Sequence, residues 1–138
     1  MELSTLFSNI HWLAVLVASL AAFAIGSVWY SPLLFSKAWQ KELKLSDFDI
    51  KNSNMIVIFG LTFVLMFISA LILDLFLPRD STALIGLIAG LLVSVGWIAT
   101  ALGVNYLFGR KSLKLYLIDA GYFVVFFAVM GLILGAWR

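Results

Sequence analysis

The stretch that decides the fold is MIVIFGLTFVLMFISALILDLFL, residues 55–77, in which Asp74 is the only charged residue. A helix needs about 20 mainly apolar residues to cross the roughly 30 Å hydrocarbon core of a bilayer, and this stretch exceeds that length. Its apolar residues do not alternate with polar ones, as they would in a membrane-spanning strand. The stretch is therefore predicted to be a transmembrane helix.

Three further runs of the same kind lie on either side of it. They cover residues 12–34, 82–108 and 115–137, and polar connections separate all four runs. Over the 138 residues, 64% are hydrophobic and 12% are charged, whereas soluble domains have about 45–50% and about 25%. The predicted fold is all-α, a bundle of four transmembrane helices that forms a single integral membrane domain, residues 1–138.

The composition also excludes several classes of function. A water-soluble enzyme, a disordered chain and a basic protein that binds nucleic acid all need many more charged or polar residues. The chain has no cysteine, and His11 is its only histidine. Disulfides, thiol nucleophiles and two-histidine metal sites are therefore excluded, and no metal or cofactor is predicted.

The first run is predicted to be a retained helix and not a signal peptide. Residues 1–10 contain no lysine or arginine, whereas a signal peptide begins with a basic region. The run is also longer than the apolar region of a signal peptide. It ends near Trp29-Tyr30, an interfacial pair, and not in small residues.

The basic residues of the connections predict the orientation in the membrane. The first and third connections hold seven of the nine Lys and Arg residues, and the two others are Arg79 and Arg138. Positively charged loops stay in the cytoplasm. The first and third connections are therefore expected to be cytoplasmic, with both termini outside the cytoplasm.

The first connection has a helical pattern of its own. Phe35, Ala38, Trp39 and Leu43 recur at near-helical spacing, with lysines between them. Such an amphipathic segment is expected to lie in the headgroup layer, its aromatic side chains inward and its lysines toward anionic lipid. Residues 46–49 are expected to form a turn. The segment is either a plain connector or an element that senses lipid or gates a site.

Small residues at four-residue spacing predict which helices pack together, because helices in lipid associate where their backbones approach closely. Such residues recur in the first, third and fourth helices: Ala14, Ala18, Ala22 and Gly26; Gly86, Gly90 and Ser94; Gly131 and Gly135. These three helices are predicted to form the tight centre of the bundle, with the second facing more lipid. The number of small-residue faces also predicts a homo-oligomer.

Ionisable side chains inside a membrane are candidates for function because they are costly to place there. At the outer level, His11 and Asp74 are predicted to pair, with Arg79 as another partner for Asp74. At the inner level, a polar and aromatic cluster is predicted near Pro32. Its members are Trp29, Tyr30, Ser31, Asn105, Arg110, Asp119 and Tyr122. For both aspartates, structural pairing and a binding or transport role stay open.

Several short strings indicate a family. WYSPLLF at residues 29–35, KAW at 37–39, NIHWLAVL at 9–16 and DAGY at 119–122 resemble the pattern of a bacterial membrane family, domain of unknown function 1761. Ser36 stands where members of that family often have glycine. The resemblance implies a small four-helix protein of the bacterial inner membrane. It implies no activity and no catalytic residues.

Three classes of function fit these features. A homo-oligomeric structural or interaction bundle, or one that binds a lipid or small-molecule ligand, is favoured because no charge lies at the bilayer centre. The alternative is a small transporter or channel formed by oligomerisation, although the first helix lacks the deep acidic residue of small multidrug exporters. A membrane enzyme has the least support. The chain is predicted not to be one, since no catalytic set of residues is recognisable.

Overall fold

Four long helices dominate the computed structural model, which describes residues 2–138. The helices are, in chain order, α1 (Leu3–Ser8), α2 (Trp12–Trp29), α3 (Ser36–Leu43), α4 (Asp47–Lys51), α5 (Met55–Phe76), α6 (Ala83–Phe108) and α7 (Leu113–Ala136). The long ones, α2, α5, α6 and α7, are each apolar enough to cross a bilayer. The described chain contains no strand. The all-α, four-span fold that the sequence predicts is confirmed.

Two helix boundaries differ clearly from the predicted ones. α2 ends at Trp29, not at residue 34, because Pro32 lacks an N–H and disfavours a helical conformation in the residue before it. The backbone N–H of Phe35 donates to the carbonyl of Trp29 at 3.1 Å and closes the turn that follows. α7 begins at Leu113, not at residue 115, because the Ser112 side chain caps its N-terminus.

The first connection contains two helices. α3 forms where the amphipathic pattern predicts a helix, and it ends at Leu43 because the next residue, Lys44, adopts a left-handed conformation with a φ of 56°. The turn predicted at residues 46–49 is wrong, because Ser46 caps the N-terminus of α4, which begins at Asp47. Ser46 Oγ accepts from the backbone N–H of Asp49 at 3.1 Å, and Asp49 Oδ2 accepts from the backbone N–H of Ser46 at 2.9 Å. This reciprocal capping box satisfies two amide groups at the N-terminus of α4.

α7 is the central helix of the bundle. Both α2 and α6 pack along it, and α2 also packs against α5, whereas α2 and α6 make no extensive contact. Over an apolar 18-residue stretch of α7, 50% of the residues are buried, against 17% in the corresponding stretches of both α5 and α6. The predicted association of α2, α6 and α7 is therefore confirmed for the contacts that α7 makes with α2 and with α6. The expectation that α5 is less buried than the other long helices holds against α2 (28% buried) and α7, but not against α6, which is equally exposed.

The contact between α6 and α7 is a close approach of two backbones. A Cβ atom added to Gly86 would overlap the carbonyl oxygen of Gly131, and one added to Gly131 would overlap that of Gly86. Gly90 and Gly135 face the partner backbone just as closely. Small residues thus supply the van der Waals contact on which helix association in lipid depends.

Candidate functional site

Two buried aspartates mark the two ends of the bundle, named here the Asp74 end and the Asp119 end. Asp74 lies in the last turn of α5, and Asp119 lies in the second turn of α7. Their exposed fractions are 1% and 9%. Buried carboxylates need hydrogen-bonding or charged partners, so the partners show what each end of the bundle is built to do.

Arg138 is the partner of Asp74. Its Nη1 lies 2.6 Å from Asp74 Oδ1, and its Nη2 donates to the main-chain carbonyls of Asp74 and Leu77 at 3.0 and 3.2 Å. His11 contributes its backbone N–H, which donates to Asp74 Oδ2 at 3.3 Å. The imidazole Nδ1 instead accepts from the backbone N–H of Ala14 and caps α2.

The predicted outer pair of His11 and Asp74 therefore exists as a main-chain contact, and Arg79 is not the residue that neutralises Asp74. The sequence does not indicate Arg138 as this partner, because its position outside the apolar runs suggests only a contribution to the charge of the termini. Its neighbour Trp137 places a ring 5.5 Å from that of His11. These contacts join the ends of α2, α5 and α7, which is the geometry of a structural connection.

At the other end, Asp119 accepts hydrogen bonds from two tyrosines. The hydroxyl of Tyr30, directly after α2, donates to Oδ1 at 2.6 Å, and the hydroxyl of Tyr106 in α6 donates to Oδ2. The Lys111 ammonium lies 4.9 Å from the centroid of the Tyr106 ring. One carboxylate thus joins three long helices, and Tyr106 belongs to this cluster although its position in the sequence does not indicate it.

Two more of the predicted residues join α2 to α7 next to this cluster, and the Tyr122 ring lies 5.4 Å from that of Tyr30. Trp29 Nε1 donates to the carbonyl of Ile118 at 2.9 Å, and the Tyr122 hydroxyl donates to the carbonyl of Ala22 at 3.0 Å. Tyr122 reaches that carbonyl because Gly26, one turn further along α2, has no side chain. A Cβ there would lie only 2.6 Å from the Tyr122 oxygen.

The other predicted members lie apart from the Asp119 cluster. Ser31 Oγ donates to the carbonyl of Val28 within its own turn, at 2.6 Å. Asn105 and Arg110 are exposed, and neither side chain makes a hydrogen bond within residues 2–138. Adjacent residues of a helix point about 100° apart, so turning Tyr106 toward α7 directs Asn105 away from it.

An open cavity of about 720 Å³ adjoins the Asp119 cluster. It lies between α2 and α5 and is bounded on a third side by residues 36–53, the segment that contains α3 and α4. Ligand pockets in proteins commonly measure about 300–1,000 Å³. The cavity exists because α2 stops at Trp29 and the chain then passes across the gap between α2 and α5, where Gly26 leaves further space.

The lining of this cavity is largely apolar and aromatic. Phe23 of α2 meets Phe59 of α5 edge to face, with ring centroids 5.8 Å apart. Near the end of α2, Tyr30 meets Trp39 of α3 in the same way, also at 5.8 Å. The Tyr30 side chain therefore belongs both to the cavity wall and to the Asp119 cluster.

A few polar groups interrupt this lining. They include one carboxylate, that of Asp49, and the hydroxyl groups of Ser27, Ser36, Ser53 and Thr62. The hydrogen bond from the Ser46 backbone N–H holds the pKa of Asp49 below its usual value, so its carboxylate is ionised at neutral pH. A pocket with mainly apolar walls and a few oriented polar groups is typical of a small-molecule site.

Together, these features define a class of protein: a multi-pass, all-helical membrane protein with a lateral cavity beside a tyrosine–aspartate cluster. The chain belongs to the family described as "Protein of unknown function (DUF1761)", whose model matches residues 13–135. This confirms the family that the sequence resembles. The matched range includes the cavity and Asp119, but not His11 or Arg138. No curated protein and no solved structure matches the chain.

Proposed function

We propose that this membrane protein binds an amphipathic small molecule or lipid in the cavity between α2 and α5. The observation that carries the proposal is the cavity of about 720 Å³, whose walls are mostly apolar and whose few polar groups include the carboxylate of Asp49. Such a lining suits a ligand with one apolar and one polar part.

The position of the cavity supports an amphipathic ligand. Its aromatic pair Phe23 and Phe59 belongs to two membrane-spanning helices, so an apolar group would lie at the depth of the acyl chains. Tyr30, Trp39 and Asp49 lie beyond the ends of those helices, where aromatic side chains favour the interface. A polar head group would therefore be held near the headgroup layer, close to α4.

Binding is favoured over the alternative, a transporter or channel. The ionisable residues inside the long helices lie near their ends, as Asp74, Lys114 and Asp119 do. Ion-coupled transport commonly uses such groups deeper in the membrane. Assembly into a homo-oligomer stays a prediction of the small-residue pattern, and the binding proposal does not depend on it.

Filling the cavity is expected to abolish binding. We expect 1-lauroylglycerol, titrated into the detergent-purified protein, to form a one-to-one adduct in native mass spectrometry. Thr62 lines the cavity, and Thr62→Trp would occupy it and reduce the adduct at least about tenfold. Thr100→Trp makes the same exchange on the exposed surface of α6 and is expected to leave the adduct intact. Equal adducts in all three proteins would refute the proposed function.

We further propose that the Asp119 end faces the cytoplasm of a bacterial cell, with both termini on the opposite side of the inner membrane. Seven of the nine basic residues lie at this end, in the connections and at the start of α7. The chain has no cysteine, so single cysteines can report the orientation. A membrane-impermeant maleimide added to intact spheroplasts should label Ser4→Cys but not Lys41→Cys, and the reverse pattern would contradict this orientation.

A further inference from the structure

We infer that the ligand of this cavity is a lipophilic cation, an inference that rests on the proposed binding function. The polar and aromatic groups of the lining determine which charge a bound ligand can carry. Hydroxyl groups can donate or accept, so the first question is where their hydrogens point.

The hydroxyl hydrogens of the lining serines and threonine are directed toward acceptors of the protein, and that of Ser36 points to Gln40 Oε1 at 3.4 Å. Within α2 and α5, Ser27 donates to the carbonyl of Phe23 at 3.0 Å, and Thr62 donates to that of Ile58 at 2.6 Å. Ser53 donates in the same way, to the carbonyl of Ile50.

The two tyrosines of the lining are also committed as donors, Tyr30 to Asp119 and Tyr122 to the carbonyl of Ala22. What these groups have left for a ligand is the lone pairs of their oxygens. An anion would find no donor among these hydroxyl groups, and in the described lining the indole N–H of Trp39 is the one other side-chain donor, whereas a positive charge would find several acceptors.

The formal charge of the lining leads to the same conclusion. Asp49 is the only carboxylate there, and no lysine or arginine of residues 2–138 lines the cavity. The four lysines of the first connection are exposed: Lys37, Lys41, Lys44 and Lys51. Asp49 is exposed as well, but unlike these lysines it belongs to the cavity wall, so the formal charge closest to a bound ligand is the negative charge of Asp49.

The aromatic lining adds to this selectivity. Phe23, Tyr30, Trp39 and Phe59 all contribute rings to the cavity. The face of an aromatic ring is electronegative and attracts ammonium-type cations without requiring a hydrogen bond. Acceptor oxygens, one carboxylate and aromatic rings together favour an apolar molecule that carries a positive charge, and they disfavour its anionic counterpart.

Two ions of the same shape and opposite charge test this inference. Tetraphenylphosphonium and tetraphenylborate are titrated calorimetrically into the full-length protein in dodecylmaltoside micelles. The cavity-filled Thr62→Trp protein serves as the blank for partition into the micelle. We expect saturable one-to-one binding of tetraphenylphosphonium above this blank and none of tetraphenylborate. Equal binding of the two ions would overturn the inference.

Two neighbouring aspartates test whether the charge of Asp49 itself contributes to cation binding. Asp49→Asn removes the charge but keeps an oxygen that caps α4, and it is expected to weaken tetraphenylphosphonium binding about fivefold. Asp47→Asn removes the same charge two residues away, outside the lining, and is expected to change binding less than about twofold. Equal effects of the two variants would contradict a charge-selective cavity.

The outcomes separate this inference from the proposed function. If 1-lauroylglycerol binds to the cavity and tetraphenylphosphonium does not, the cavity binds ligands but does not select cations. If neither probe distinguishes the wild type from Thr62→Trp, the proposed function fails, and the inference fails with it.

Trp39→Leu provides a second variant, since it is expected to weaken tetraphenylphosphonium binding about threefold by removing one aromatic ring.

Discussion

Gly131→Leu is expected to lower the free energy of unfolding by about 3 kcal/mol. The glycine lies against the backbone of Gly86, with no room for a Cβ atom. A leucine side chain would therefore separate α6 from α7. The measurement is the loss of helical circular dichroism as the mole fraction of dodecyl sulfate rises in mixed micelles.

The size of the effect follows from what holds this contact together. In lipid, the attraction between helices comes from close packing and not from the exclusion of water. Moving two backbones apart weakens the dispersion contacts along the whole crossing, since these fall steeply with distance. Gly131→Ala is expected to have a smaller effect of the same sign.

The matched control is Gly60→Leu. Gly60 lies within α5, and a Cβ added there would meet nothing within 4 Å. The same exchange is therefore expected to change the free energy of unfolding by no more than about 0.5 kcal/mol. If Gly131→Leu and Gly60→Leu unfold at the same dodecyl sulfate fraction, the close contact of α6 and α7 does not stabilise the bundle.

The sequence predicts the spans well because length and apolarity alone determine whether a helix can cross a bilayer. Residues 55–77 contain one charge, and the helix observed there is Met55–Phe76. Small-residue spacing also predicts the packing surfaces, since Gly86 and Gly131 meet as that spacing requires. Both properties are local along the chain and can be read without knowing where other helices lie.

The candidate site is harder to predict because it depends on how the helices are arranged. Tyr106 and Asn105 are both polar and adjacent in sequence, yet only Tyr106 bonds to Asp119. Which of the two faces α7 depends on the rotation of α6 about its axis, and neither hydropathy nor residue type determines that angle. The cavity depends in turn on where α2 ends and on the path of the chain up to α4, which involves several elements at once.

Asp74→Asn is expected to lower the free energy of unfolding by about 3–5 kcal/mol. The substitution leaves Arg138 charged and buried, since its side chain is 6% exposed and that of Asp74 is fully buried. Two bonds from Arg138 to main-chain carbonyls would remain, but they do not neutralise the charge. The result is measured by the same dodecyl sulfate titration.

Two further variants test whether the loss comes from the unpaired charge. The double variant Asp74→Asn/Arg138→Met removes both charges, and it is expected to recover part of the lost stability because no buried charge then lacks a partner. Asp80→Asn removes an exposed carboxylate at the same end of the bundle, and it is expected to change stability by less than about 0.5 kcal/mol. If the double variant is no more stable than Asp74→Asn alone, the penalty does not come from the charge of Arg138. The role of Asp74 would then lie in its hydrogen bond with the backbone N–H of His11.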